Sequence, residues 1–312
     1  MAHNILKPKS LQKGARIGVV SPARHAPAEW LTKGKAELEA AGYEVEIHPQ
    51  NRQADYQLAG TDQQRAEAIM DFFKDSSIDA IITARGGIGS YRVIPHLDFE
   101  VIRENPKVFC GFSDITTLIN VIRNRTGLVT FHGPMLLSFF KNNDPANLTH
   151  FKNFFNGTEP SKPITYPAAE VFVEGTGEGR LIGGNMTLLQ NLIGTKDDIN
   201  TDGAILLIED DDGEKQCEID RALWHFKNAG KLDNIKGLIV GEFCGFREDS
   251  AGHWKHSVHD LLRELIPPNI PIAVHFPCGH GKSIVPLPLG SVVRLETTNK
   301  KVVLTCVESP FA

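Results

Sequence analysis

Cysteine is scarce in this sequence. The five residues, at positions 110, 217, 244, 278 and 306, are odd in number and form no Cys-x-x-Cys pair. That excludes a disulfide framework and points to reduced thiols in a reducing, cytoplasmic compartment. Cys110 and Cys306 sit inside apolar strand-like runs and read as small core fillers. Also missing is any uninterrupted apolar run of about eighteen residues. Met1 to Ser10 has no hydrophobic segment of the secretory kind, so the chain reads as neither secreted nor membrane-spanning. An excess of positive charge is absent too. A net charge of -5 and a pI near 6.2 give no general attraction for phosphate backbones or anionic lipid, which excludes nucleic acid and membrane surfaces as first partners. There is no internal repeat and no low-complexity tract.

What is present is an ordinary globular composition, 41% hydrophobic and 23% charged. A length of 312 residues favours two domains. The first third alternates β-rich runs with amphipathic helices: Arg16 to Val20, a helix to about Ala41, Tyr43 to Ile47, a second helix, then Ile78 to Thr83. Thr61 followed three residues later by Gln64 marks that second helix with a capping box. Lys107 to Phe112 and Leu128 to Phe131 continue as strands around a helix from Ile115 to Arg123. The alternation predicts a doubly wound α/β unit with a parallel sheet. From Asn142 to Gly179 prolines and glycines break the pattern, and a domain junction belongs there. Beyond it the sequence predicts helices at Met186 to Ile193 and Ile219 to Ala229. Strands are expected at Ala204 to Ile208, Gly237 to Phe243, Ser291 to Glu296 and Lys301 to Val307, the last two as a hairpin around Thr298-Asn299.

Four segments have the residue types that chemistry needs. In Lys107-Val-Phe-Cys-Gly-Phe-Ser113-Asp-Ile a serine stands where a buried strand crosses into a helix. Such a turn exposes a hydroxyl and aims the helix N-terminus, with the Asp114 N–H, at developing negative charge. The competing reading is that Ser113 or Asp114 caps the helix. Ala84-Arg85-Gly86-Gly87-Ile88-Gly89-Ser90 also follows a strand, and its glycines allow close backbone approach to a ligand, Gly87 being the best second oxyanion donor. Its GGxG spacing and the absence of an acidic partner disfavour a dinucleotide site, and a tight turn is the plainer alternative. Glu209, first of four consecutive acids, ends the apolar run Ala204 to Ile208, at the sheet edge where α/β proteins hold their sites. Spacing alone does not choose it over Asp210, and a solvated acidic turn or cation site competes. Among twelve histidines, His280 in Pro277-Cys-Gly-His-Gly281 lies on a loop suited to reach a partner. His253, His256 and His259 have suggestive spacing but a polar setting, which favours solvated side chains over metal. Asn185 precedes a helix and reads as its cap, a substrate contact being the alternative.

The segments ARGGIGS, GFSDIT, LIGGNMTLLQNLIGT, IED with its downstream IDR, and PCGHG, in this order, resemble the LD-carboxypeptidases, serine peptidase family S66. The resemblance implies a triad of Ser113, Glu209 and His280 with no metal or cofactor. It implies a flavodoxin-like N-terminal domain, a smaller β-rich C-terminal α/β domain, a site between them and a homodimer. Domains of 1–160, with the nucleophile, and 161–312, with the Glu and His, follow. The reaction implied is release of terminal D-alanine from cytoplasmic murein tetrapeptides during cell-wall recycling. Two departures bear on substrate preference: Ile88 stands where the family often has an aromatic, and Gln216-Cys217-Glu218 replaces a Pro-aromatic-basic run. An exopeptidase must also hold a free carboxylate, for which Arg85 is a candidate. Rival functions are hydrolysis of a peptide-nucleotide antibiotic of the microcin type, which calls for an aromatic platform, and non-catalytic binding of a small ligand. Trp224 and Trp254 are the tryptophans of that region, and Trp224, on a predicted helix face, is expected in the core.

Overall fold

The computed structural model describes residues 4–141, 144–160, 162–211, 216–243 and 256–312. In chain order the first elements are β1 (Arg16–Val20), α1 (Ala28–Ala40), β2 (Glu44–Ile47), α2 (Asp62–Lys74), β3 (Ala80–Thr83), α3 (Phe99–Glu104), β4 (Val108–Gly111), α4 (Thr116–Thr126), β5 (Thr130–His132) and α5 (Ala146–Phe155). There follow β6 (Ile164–Thr165), β7 (Glu170–Val173), β8 (Gly175–Asn185), α6 (Met186–Gln190), β9 (Ala204–Asp210), α7 (Gln216–Asn228), β10 (Gly237–Phe243), α8 (Val258–Leu265) and β11 (Ile272–Val274). The last strands are β12 (Leu287–Leu289), β13 (Val292–Thr298) and β14 (Lys301–Cys306).

The chain forms two compact units. The first comprises Met1–Lys162, Lys282–Ser291 and Glu308–Ala312, the second Pro163–Gly281 and Val292–Val307. A single cut near residue 160 leaves out the two returning segments. They belong to the first unit through long-range pairing, such as β12 with β5 and the Ala312 N–H donating to Pro8 O at 2.9 Å.

In the first unit the sheet order is β12-β5-β4-β3-β1-β2. Its five strands β2-β1-β3-β4-β5 are mutually parallel in the flavodoxin-type order, and β12 joins antiparallel at the edge. Alternate strand residues face opposite sides. Ile17, Val19, Ile82 and Cys110 pack with Leu31 and Leu38 of α1 and Phe151 and Phe155 of α5. On the other face Phe73 of α2 stacks on Phe109, ring centroids 6.0 Å apart. The doubly wound expectation holds. The α2 capping box is formed, with Gln64 N–H donating to Thr61 Oγ1 at 3.2 Å and Thr61 N–H to Gln64 Oε1 at 3.0 Å. Cys110 and Cys306 are buried, and burial pushes the Cys306 thiol up to about 12.

The second unit holds a sheet of order β6-β14-β13-β8-β9-β10-β11-β7, parallel from β8 to β11 and antiparallel elsewhere. Strand β9 is buried at every residue, which is why it reads as a continuous apolar run. The expected hairpin forms: Thr298 pairs with Lys301, and Asn299 and Lys300 make a two-residue turn at φ 52° and 57°. Among the described residues no helix is long and apolar enough to cross a membrane.

Candidate active site

The nucleophile candidate is placed by the end of β4. After Gly111 the chain is extended at Phe112, turns through one tight 3-10 turn over Ser113–Ile115, and enters α4. Ser113 adopts φ +61°, a left-handed conformation that costs a non-glycine residue about 1–2 kcal/mol. The positions preceding the turn and the helix are Phe112 and Ile115, so neither Ser113 nor Asp114 is the cap. The Asp114 carboxylate instead accepts the Ser90 N–H at 2.8 Å. Burial raises the Asp114 pKa, against the lowering effect of those Ser90 bonds.

The glycine loop after β3 lies directly on this elbow. A methyl group added at Gly86 would stand 2.8 Å from Ser113 Cβ and 2.9 Å from its Oγ, so only glycine fits there. Gly87, the second oxyanion donor expected from the sequence, follows it at φ +129°. Arg85 is half-buried beside Gly86, its guanidinium 5.4 Å from the Trp30 ring centroid and its Nε donating to Gly86 O at 3.3 Å. Burial, and then the charge of Arg24, pull its pKa down. Arg85 pairs with no carboxylate among the described residues.

The acid and base candidates are carried by the second unit. Glu209 is fully buried near the carboxyl end of β9, and His280 Nδ1 lies 2.8 Å from its Oε2. With the proton on Nδ1 donated to Glu209, Nε2 is left as the basic nitrogen. Burial disfavours the imidazolium, yet the charge and hydrogen bond of Glu209, with Asp211 and Asp210 behind them, outweigh it and raise the His280 pKa. Gly279, at φ +75°, makes the approach possible, since a Cβ there would lie 2.2 Å from Glu209 Oε2. The neighbouring Cys278 is buried, and burial and the charges of Glu209 and Glu242 hold its thiol protonated.

Asp210 has a different set of partners. It accepts from Asn185 Nδ2 at 2.7 Å, Thr187 N–H at 3.1 Å and Thr187 Oγ1 at 2.9 Å, anchoring the start of α6. Asn185 caps that helix, its Oδ1 accepting the Leu188 N–H at 3.2 Å. Asp211, third of the four consecutive acids, also faces the imidazole, its Oδ2 3.5 Å from His280 Nε2. His253 and Trp254 lie outside the described residues. His256 is exposed, whereas His259 stacks on Phe172 with centroids 5.0 Å apart rather than being freely solvated. Among the described residues no group of three or more His, Cys, Asp or Glu could hold a metal ion. Trp224, expected in the core, is 40% exposed on α7.

Two family models match successive parts of the sequence, the LD-carboxypeptidase N-terminal domain over residues 17–133 and the LD-carboxypeptidase C-terminal domain over 178–295. The chain belongs to the LD-carboxypeptidase family. A probable murein peptide carboxypeptidase of Bacillus subtilis is 35% identical to this LD-carboxypeptidase family member, over 96% of this chain and 94% of its own length. The microcin C7 self-immunity protein MccF of Escherichia coli is 27% identical over 95% of this chain and 94% of its own. Among solved structures, MccF in complex with glutamyl sulfamoyl guanosine superposes with a TM-score of 0.89 at 26% identity, covering 98% of this chain and 100% of that one. A muramoyltetrapeptide carboxypeptidase from Oxalobacter formigenes gives 0.84 at 28% identity, covering 95% and 100%. Membership and these relatives support a peptidase with the two-domain α/β fold of the family.

Proposed function

We propose that the protein is a serine LD-carboxypeptidase that removes the terminal D-alanine from murein tetrapeptides in cytoplasmic cell-wall recycling, and that it acts as a homodimer without metal. The observation that carries this reading is the 2.8 Å bond from His280 to a fully buried Glu209. A buried carboxylate facing one imidazole nitrogen fixes the tautomer and stabilises the imidazolium, the role of the acid in a hydrolytic triad. In the proposed mechanism Ser113 Oγ attacks the carbonyl before D-alanine while His280 Nε2 takes its proton. The N–H groups of Gly87 and Asp114 receive the oxyanion. His280 then protonates the departing amine, and water attacks the acyl-serine by the same route in reverse. Arg85 is assigned to the substrate's terminal carboxylate, supported by its half-burial with no acidic partner among the described residues and by its place next to Gly86.

The murein reading draws on the 35% identical relative. A second reading, hydrolysis of a peptide-nucleotide, is supported by the TM-score of 0.89 to MccF and by the exposed Trp224, an aromatic surface of the kind a nucleobase stacks on. Mass spectrometry of wild type and Ser113→Ala with a chelator and a tetrapeptide muropeptide tests the first. Loss of one alanine with wild type alone is the expected outcome. Cleavage by both proteins would remove Ser113 from the mechanism, and turnover of a peptidyl nucleotide only, lost in Trp224→Ala, would select the second reading.

A further inference from the structure

Arg65, on α2, is fully buried although it is charged. Its guanidinium donates to Pro22 O in the loop after β1, to Gly89 O at 2.8 Å in the loop after β3, and to the Asp62 carboxylate. Asp62 is in turn held by Arg92, whose Nε lies 3.0 Å from both its oxygens. One residue beyond Gly89, the Ser90 N–H donates to Asp114 Oδ2 at 2.8 Å and Ser90 Oγ to the Asp114 carbonyl at 2.6 Å. A continuous line of hydrogen bonds therefore runs from α2 through the end of the glycine loop to the residue after the nucleophile.

Stability alone is a poor reason for this arrangement. Taking a guanidinium out of water costs several kcal/mol unless every donor is matched, and a well-packed apolar side chain avoids that cost. Here Arg65 Nε has no hydrogen-bond partner among the described residues. Ser113 sits at φ +61°, a strained conformation that persists only where its surroundings over-determine it. Gly86, three residues before the Arg65-bound Gly89 carbonyl, is the surface against which Ser113 rests.

We propose that Arg65 is a positioning residue: by holding the Pro22 and Gly89 carbonyls it fixes the glycine loop, through Ser90 and Asp114, against Ser113 and so sets the aim of the oxyanion donors. It touches no reacting atom and acts through Gly89, Ser90 and Asp114. The proposal rests on the serine-hydrolase reading above.

The test uses Arg65→Met, which keeps length and loses all donors, and Arg65→Lys, which keeps charge and one donor group, each shown folded by circular dichroism. Two readouts are taken: kcat and KM for tetrapeptide hydrolysis, and the rate at which a fluorophosphonate labels Ser113, which needs no muropeptide. The expected result for Arg65→Met is a fall of about tenfold or more in both kcat and labelling rate, as when an oxyanion donor is displaced, with KM changed by less than about threefold. Arg65→Lys recovers part of the loss. Should Arg65→Met not fold, a folded Arg65→Lys with lowered kcat and unchanged KM supports the assignment. Wild-type kcat and labelling in either folded variant overturn it, as does a rise in KM alone. Wild-type protein that labels at Ser113 but releases no D-alanine refutes the substrate reading and leaves the labelling rates to decide the role of Arg65. A wild-type Ser113 that neither labels nor turns over overturns both.

Discussion

Replacing Gly279 by alanine should separate the active-site geometry from ordinary glycine strain. The added methyl would stand 2.2 Å from Glu209 Oε2, 2.4 Å from its Cδ and 2.6 Å from its Cγ. Ordinary contact begins at 3.4 Å, so the carboxylate has to retreat by about 1 Å, the difference between 3.4 and 2.2 Å. Glu209 is fully buried on a strand buried along its whole length, and has no slack to do so cheaply. The left-handed φ of +75° adds about 1–2 kcal/mol for any side chain, and overpacking a filled core adds about 1–3 kcal/mol more. The internal control is Gly203→Ala, at φ +69° with nothing within 4 Å of the added methyl, which incurs the backbone cost alone. In urea denaturation Gly279→Ala should therefore lose more stability than Gly203→Ala by about 1–3 kcal/mol. In the D-alanine release assay it should lose about a thousandfold or more in kcat, because His280 no longer keeps its bond to Glu209, whereas Gly203→Ala keeps its rate. Equal stability and equal activity in the two variants would refute the placement of Gly279 against Glu209.

The raised His280 pKa means that kcat/KM climbs with pH through a midpoint above about 6.5, because the base must be neutral. Glu209→Gln removes the main raising influence and should move that midpoint down while lowering the plateau, as a pH-rate profile will show. For stability the sign follows from the raised folded value. The imidazolium's contribution is fully present below about 6.5 and is lost as pH rises through the higher folded pKa, so the stability gap between wild type and His280→Gln should shrink across that window. Arg85→Met should raise KM for the tetrapeptide about tenfold or more, the worth of a charge-assisted hydrogen bond, and should have little further effect on a substrate amidated at its C-terminus. Thr61→Ala should cost about 1 kcal/mol of stability by removing the α2 cap, measured by thermal unfolding.

The first unit was largely legible because its strands are apolar runs separated by amphipathic helices with clear end signals, Thr61 with Gln64 and Gly127 among them. Strand β8 was not, since five of its eleven residues are glycine and have no side chain to form an alternating pattern. Strand β12 escaped because Pro288 argues against a strand, and only an edge position tolerates it. The six-residue α3, capped by Asp98 through two backbone N–H groups, is too short to show a period. In the site, the choice between Glu209 and Asp210 was beyond spacing, because adjacent strand residues face opposite sides and the side facing His280 depends on a loop some seventy residues away. The strained φ of Ser113 and the burial of Arg65 are likewise set by loops brought together in three dimensions, and no local pattern announces them.

The return of β12 to the first sheet has a consequence for the order of events during synthesis. Strands β1 to β5 are complete once residue 132 has been made, but the antiparallel neighbour of β5 arrives only with residues 287–289. Throughout the intervening translation the nascent sheet carries an open edge at β5, a template for pairing with another chain. The second unit is thus made while the first is still waiting for its last strand, and a fragment ending near residue 160 keeps that edge open for good.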